Sequence, residues 1–145
     1  MKIDNKHIKI SFDFDGVLEL NHIQEYAKEL VARKFEVWIV TSRFGDAELY
    51  KKFFSTTINV DLTNNDLWNV AKELGIPKEK IYFTNMADKY HFFKENEGFI
   101  WHLDDDWIEN RNILNNTKTK GINSWGNSSW KQKCERILRN HKLNF

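Results

Sequence analysis

The chain has 145 residues, the size of one ordinary domain and enough to bury a core. Lys+Arg 22 against Asp+Glu 21 gives a formal net charge of +1, which excludes a global polyanion-binding charge but not a local basic patch. A single cysteine, Cys134, excludes an intramolecular disulfide and a cysteine-built zinc site, and one proline with six glycines argues against low complexity or a long linker. No apolar run approaches the ~18 residues of a membrane span. The opening Met-Lys-Ile-Asp-Asn-Lys-His has no apolar core of a signal peptide. The expectation is a soluble, cytoplasmic protein with no membrane association.

Alternation of Ile8, Ile10, Phe12 and Phe14 with Lys9, Ser11 and Asp13 predicts a first strand over 8–14. Ile23, Tyr26, Ala27, Leu30 and Val31 recur at helical spacing over 22–34. Val37-Trp38-Ile39-Val40 is a continuous apolar run, as in a strand buried on both faces, and it ends at Thr41-Ser42-Arg43. A helix over 46–54 follows, with Asp46 as its cap. The stretch 55–62 reads equally as an edge strand or a loop. Residues 67–74 are helical, closed by Gly75 with Pro77 beyond. Then come a strand over 81–84, a helix over 87–96, a strand over 99–103 running into Asp104-Asp105-Asp106, a helix over 107–114, a weak strand over 120–124 and a basic amphipathic helix over 129–141. Strands alternating with helices predict an α/β fold built on a parallel sheet, with no internal repeat and no domain boundary.

In such sheets ligands bind at the carboxyl ends of the strands. There the chain carries Asp13 and Asp15, then Thr41 and Ser42, then Asp104 to Asp106, with Lys89 near the start of a following helix. Acidic clusters from separate strands repel one another unless a cation lies between them, and a hard divalent ion such as Mg2+ suits all-oxygen ligands. Asp13 and Asp15 are two apart, so in extended chain both point the same way. One can serve as nucleophile and the other as general acid and base. Mg2+, Lys89 and a hydroxyl from Thr41 would neutralise a phosphoryl group that a carboxylate must approach. As the acid, Asp15 needs a raised pKa, which neighbouring carboxylates can supply. An EF-hand reading of Asp13 to Gln24 fails, because Gly16 is at loop position four and Gln24 stands where a bidentate Glu belongs. Taken singly, Asp104 to Asp106 also read as an acidic helix start, Lys89 as a surface lysine, and Thr41-Ser42 as a turn.

Together these residues resemble the haloacid dehalogenase (HAD) superfamily. Ile10-Ser11-Phe12-Asp13-Phe14-Asp15-Gly16-Val17-Leu18 is similar to its first motif, and Val37 to Arg43 to its second. Lys89 falls where the third-motif lysine should be, and Phe99 to Asp105 is similar to the fourth, with Glu109 four residues beyond Asp105. The resemblance covers residues 8–125 and all four motifs in order. It implies a three-layer Rossmann-like fold with a central parallel sheet of about five strands flanked by helices. It also implies a Mg2+-dependent phosphatase acting through a phospho-aspartate. By this resemblance Asp13 is nucleophile and metal ligand. Asp15 is general acid/base and binds the metal through its carbonyl. Thr41, or Ser42 in its place, holds phosphate with Lys89. Asp105 and Asp104 bind the metal, with the assignment along Asp104 to Asp106 open by one position. About 25 residues separate Asp15 from Thr41, which one helix and one strand consume, so the chain reads as a single capless HAD-like domain over 1–145. A lidless site suits a phosphorylated, macromolecular substrate. The alternatives are a nucleotide or nucleic-acid 3′-phosphatase and a non-catalytic metal-dependent binding or regulatory protein.

From Ser128 to Phe145 there are five Lys/Arg and one acid. That suggests a nucleic-acid or acidic-partner contact or, as the favoured reading, a solvated face on a helix packed through Trp130, Ile137 and Leu138. Trp38 and Trp101 are expected in the core. Trp107 and Trp125 are candidates for lining a pocket, and His102 is expected to pack within its strand.

Overall fold

Five short segments supply the strands of one sheet: β1 (Lys9–Phe12), β2 (Glu36–Thr41), β3 (Ile81–Phe83), β4 (Phe99–Asp104) and β5 (Lys120–Asn123). All pairings are parallel, in the order β3-β2-β1-β4-β5. Parallel neighbours need long crossovers, and these hold α1 (Asn21–Ala32), α2 (Ala47–Phe54), α3 (Val60–Thr63), α4 (Asn65–Leu74), α5 (Tyr90–Glu95) and α6 (Trp107–Asn116), while α7 (Trp130–Leu143) follows the last strand. The computed structural model describes residues 5 and 7–143, so the ends of the domain expected over 1–145 lie outside the described residues. The three-layer α/β architecture expected from the sequence is the one observed. Among the described residues no separate cap domain accompanies the sheet. None of the helices described is long and apolar enough to cross a membrane.

β1 is the central strand, and both of its faces are covered. On one face Ile10 and Phe12 join Val37, Ile39, Trp101 and Leu103 in the main core, with Tyr26, Leu67 and Cys134 from α1, α4 and α7. Phe12 meets Trp101 edge-on at 5.4 Å, an orientation that aligns ring edge with ring face. On the other face Val40 packs with Phe92, Phe93, Phe99 and Ile113 against α5 and α6. The alternation in β1 therefore does not separate core from solvent. Ser11 and Asp13, the polar partners in that alternation, are buried too.

One irregularity sets which side chains share that second face. Lys9 pairs with Phe99, but Ser11 pairs with His102, so β4 carries one residue more than β1 between those points. The bulge shifts the alternation and puts His102 and Asp104 on the face of Ser11 and Asp13.

The ambiguous stretch over 55–62 is not an edge strand. It is a loop followed by the one-turn α3, which starts there because the Asn59 side chain accepts from the amides of Asp61 and Leu62, both at 3.1 Å. The helix expected over 87–96 begins later, at Tyr90. The amides of Thr84, Asn85 and Met86 bond the carbonyls of Thr41, Arg43 and Ser42, which holds this stretch against the end of β2. In α7, Cys134 and Leu138 are buried in the core. Lys131 lies over Tyr26 and Lys142 over Phe35, so part of the basic face packs along the domain. Trp101 is fully buried, as expected, and Trp38 partly so.

Candidate active site

At the carboxyl edge of the sheet β1 ends in extended backbone at Asp13, whose amide bonds Leu103 O at 2.9 Å. The chain then turns sharply. Asp15 (φ −65°, ψ 126°) and Gly16 (φ 72°, ψ 1°) are the central pair of a type II turn, which demands positive φ at its second position. Gly16 has a second reason to lack a side chain, because a Cβ there would collide with the Asp105 carboxylate. The turn thus brings the first acidic pair directly under the second cluster.

The three consecutive aspartates have three different surroundings. Asp104 is fully buried: its Oδ2 accepts from Lys89 Nζ at 2.6 Å and meets His102 Nε2 at 2.8 Å, and its Oδ1 accepts from the Asp106 amide at 3.0 Å. Asp105 turns over Gly16 into the cavity. Asp106 caps α6, accepting from the amides of Ile108 at 2.9 Å and Glu109 at 3.3 Å, so the acidic-helix-start reading holds for this residue alone.

Lys89, buried at 2 % exposure, also reaches Asp13 Oδ1 at 2.9 Å. It is the residue before α5, and its amide bonds Glu109 Oε2 at 3.3 Å. Burial pulls the Lys89 ammonium down, but the charges of Asp104 and Asp13 prevail and raise its pKa. Asp104 is likewise opposed by burial, yet its His102 and Lys89 partners hold it well below the usual carboxylate range. Asp13 goes the other way: burial, then the charge of Asp104, push it well up despite Lys89. Burial is also the main cause that raises Asp105 and Glu109. One ammonium thus faces more carboxylates than it can neutralise.

These groups line a cavity of about 510 Å³ that also takes in Asp15, Ser42 and Met86. Carboxylate oxygens of Asp13, Asp104 and Asp105 lie within 4.8 Å of one another. An all-oxygen donor set carrying surplus negative charge fits a hard divalent cation such as Mg2+.

One expectation needs correction. Thr41 does not face the cavity: it is fully buried and its Oγ1 accepts from the Arg43 amide at 3.3 Å, whereas Ser42 does line it. The β-strand alternation explains this, since adjacent residues point oppositely and only one can face the strand-end cavity. The Asp15 carboxylate pairs with Arg43, which the sequence did not single out: Nε and Nη2 form a fork to Asp15 at 2.9 and 2.7 Å, and Nη1 and Nη2 a second fork to Asp66 at 2.6 and 2.9 Å. The guanidinium also lies 4.8 Å over the Phe14 ring. Trp107 and Trp125 are exposed, and neither lines the cavity.

In the sequence Arg43 stands out only as the end of a motif and His102 only as a packing residue. Their partners lie too far along the chain for a local pattern: Arg43 is 28 residues from Asp15 and His102 is 91 from Ser11, which it meets at 2.8 Å. For Ser11 and His102 the available signal was a polar residue inside a strand, two positions before an aspartate in each case.

No family model matches the chain, and no curated protein matches it. Among solved structures it is similar to a candidate 3-deoxy-D-manno-octulosonate 8-phosphate phosphatase from Vibrio cholerae, at 17% identity over 93% of this chain and 86% of that chain, with a TM-score of 0.47.

Proposed function

We propose that the protein is a Mg2+-dependent phosphatase that hydrolyses phosphate monoesters through a phospho-aspartate at Asp13. The observation that carries the reading is the placement of Asp13: a buried carboxylate at the floor of a polar cavity, bonded to Lys89 and ringed by Asp15, Ser42, Asp104 and Asp105. The conjunction matches, residue type by residue type, the family that the sequence motifs resemble.

In the proposed reaction an Asp13 carboxylate oxygen attacks phosphorus, and the ester oxygen leaves with a proton from Asp15. Asp15 then takes a proton from water, whose oxygen attacks the acyl phosphate. Inorganic phosphate departs and the Asp13 carboxylate is restored. Lys89 and the Ser42 hydroxyl bind the phosphoryl oxygens, and the burial of Asp13 away from water strengthens those interactions. Asp13 and Asp105 would hold Mg2+, with Asp104 contributing through its one unused Oδ1 lone pair. The ion supplies charge neutralisation of the phosphoryl group and an ionised nucleophile. For Asp15 to exchange its proton, its fork to Arg43 must open, while the fork to Asp66 retains the guanidinium. The cavity is open, which suits a phosphate presented on a large carrier.

The test is hydrolysis of para-nitrophenyl phosphate with Mg2+ and with chelator, followed by a panel of nucleotides, sugar phosphates, phosphopeptides and phosphorylated oligonucleotides. Metal-dependent phosphate release is expected. Mg2+ binding without turnover across the whole panel would instead favour a non-catalytic binding protein.

A further inference from the structure

The strand-interior polar pair Ser11 and His102 lies outside the reaction just described. We propose that these two are positioning residues, a buried donor chain from Ser11 Oγ–H to His102 Nδ1 and from His102 Nε2–H to Asp104 that fixes the Asp104 carboxylate and, through it, Lys89 against Asp13. The inference rests on the phosphatase reading for its kinetic consequence, though not for its geometry.

The geometry is continuous. Ser11 Oγ and His102 Nδ1 are 2.8 Å apart, His102 Nε2 and Asp104 Oδ2 are 2.8 Å apart, and Asp104 Oδ2 also takes Lys89 Nζ at 2.6 Å. Ser11, His102 and Asp104 are each 0% exposed. Two neighbouring central strands would ordinarily fill such positions with branched apolar residues. Two buried polar side chains there are costly unless fully bonded, and these are bonded to each other and to the site.

The order of donors follows from the end of the chain. Asp104 is ionised beside Lys89 and can only accept, so His102 Nε2 must carry a hydrogen. With its hydrogen on Nε2, the ring presents Nδ1 as an acceptor, and the Ser11 hydroxyl is the donor that reaches it at 2.8 Å. The groups facing the ring are Asp104, Lys89, Ser11 and the Phe93 ring at 5.1 Å. The bulge in β4 sets Ser11 and His102 opposite one another in register.

The consequence is a carboxylate without rotational freedom. Two lone pairs of Asp104 Oδ2 go to His102 and Lys89, and one of Oδ1 goes to the Asp106 amide. Without His102, Oδ2 keeps only Lys89, and the pair can tilt away from Asp13. Groups that orient a charged ligand in this way are worth about 10- to 100-fold in metal affinity or activity.

The experiment compares His102→Leu, His102→Gln and Ser11→Ala with the parent. Long-range proton–nitrogen NMR reads the imidazole tautomer, calorimetry reads Mg2+ affinity without substrate, and steady-state kinetics separates kcat from KM. The parent is expected to show the Nε2–H tautomer. A folded His102→Leu is expected to lose about 10- to 100-fold in kcat and in Mg2+ affinity while KM moves by about twofold or less. His102→Gln keeps a donor toward Asp104 and an acceptor toward Ser11, and is expected to recover most of the loss. Should His102→Leu fail to fold, Ser11→Ala decides, with a mixed tautomer and a kcat loss of about 3- to 10-fold. An Nδ1–H tautomer in the parent, a folded His102→Leu with parental kcat and Mg2+ affinity, or a Gln variant as impaired as Leu would each overturn the proposal. If the parent hydrolyses no phosphate ester, the phosphatase reading fails, while tautomer and Mg2+ affinity still decide whether the chain positions Asp104.

Discussion

The same two strands build two chemically opposite faces. Ile10, Phe12, Trp101 and Leu103 point to one side and meet α1 and α7 in a dry core. Ser11, Asp13, His102 and Asp104 point to the other and meet Lys89 in a buried polar network. Both sets are close to fully buried. The difference teaches that burial alone does not separate structural from functional positions. On the apolar face, removing a side chain costs packing. On the polar face, removing the right one relieves charge repulsion and costs chemistry.

Asp13→Asn should break the comparison most visibly. The expected activity loss is at least about 10³-fold, since no other carboxylate can take over as nucleophile. Stability should move the opposite way. In the folded, metal-free protein the Asp13 pKa is raised by burial and by Asp104. The folded state then holds more protons than the unfolded one, so this group's stability is fully present below the ordinary carboxylate pKa and is lost as pH rises through the raised value. Denaturant melts in chelator should show Asn at this position more stable than the parent at neutral pH by on the order of 1–3 kcal/mol, with the gap closing toward acid pH.

Phe12→Ala should do the reverse. It removes a fully buried ring between Tyr26 and Trp101 and is expected to cost about 3–5 kcal/mol in chemical denaturation, with activity per folded molecule nearly retained. Gly16→Ala lies between the faces. Its positive φ costs about 1 kcal/mol, and the new Cβ displaces the Asp105 carboxylate, so kinetics should show about a 10- to 100-fold fall in kcat with a weaker Mg2+ response. The smallest effect is expected for Arg43→Lys. The ammonium keeps the charge but not the two forks, and kcat should fall about 10-fold with little change in melting temperature, because Asp15 and Asp66 are both exposed.

Much of the fold was legible because apolar periodicity and helix punctuation are local signals. The run Val37 to Val40 is buried on both faces of β2 or nearly so, Gly75 closes α4 in a left-handed conformation, and Asp46 caps α2. The cap at Asn59 was also local but was masked by the alternation of Ile58, Val60 and Leu62. The site was legible as residue types at strand ends, and Asp13, Lys89, Asp104 and Asp105 do converge. Other features depend on three-dimensional register. The bulge that turns His102 toward Ser11 leaves no trace in composition, and the choice of Ser42 over Thr41 depends on which way the last residue of β2 faces. The three roles of Asp104, Asp105 and Asp106 differ because each points in a different direction, which one repeated letter cannot show.

The proposed reaction stands or falls on whether an oxygen of the buried Asp13 carboxylate attacks phosphorus. Acid-quenched turnover with Mg2+ and para-nitrophenyl phosphate, followed by peptide mass spectrometry, tests it directly. A phosphoryl group is expected on the peptide carrying Asp13, absent from Asp13→Asn and absent with chelator. Steady turnover with that peptide unmodified, or normal turnover by Asp13→Asn, would contradict it.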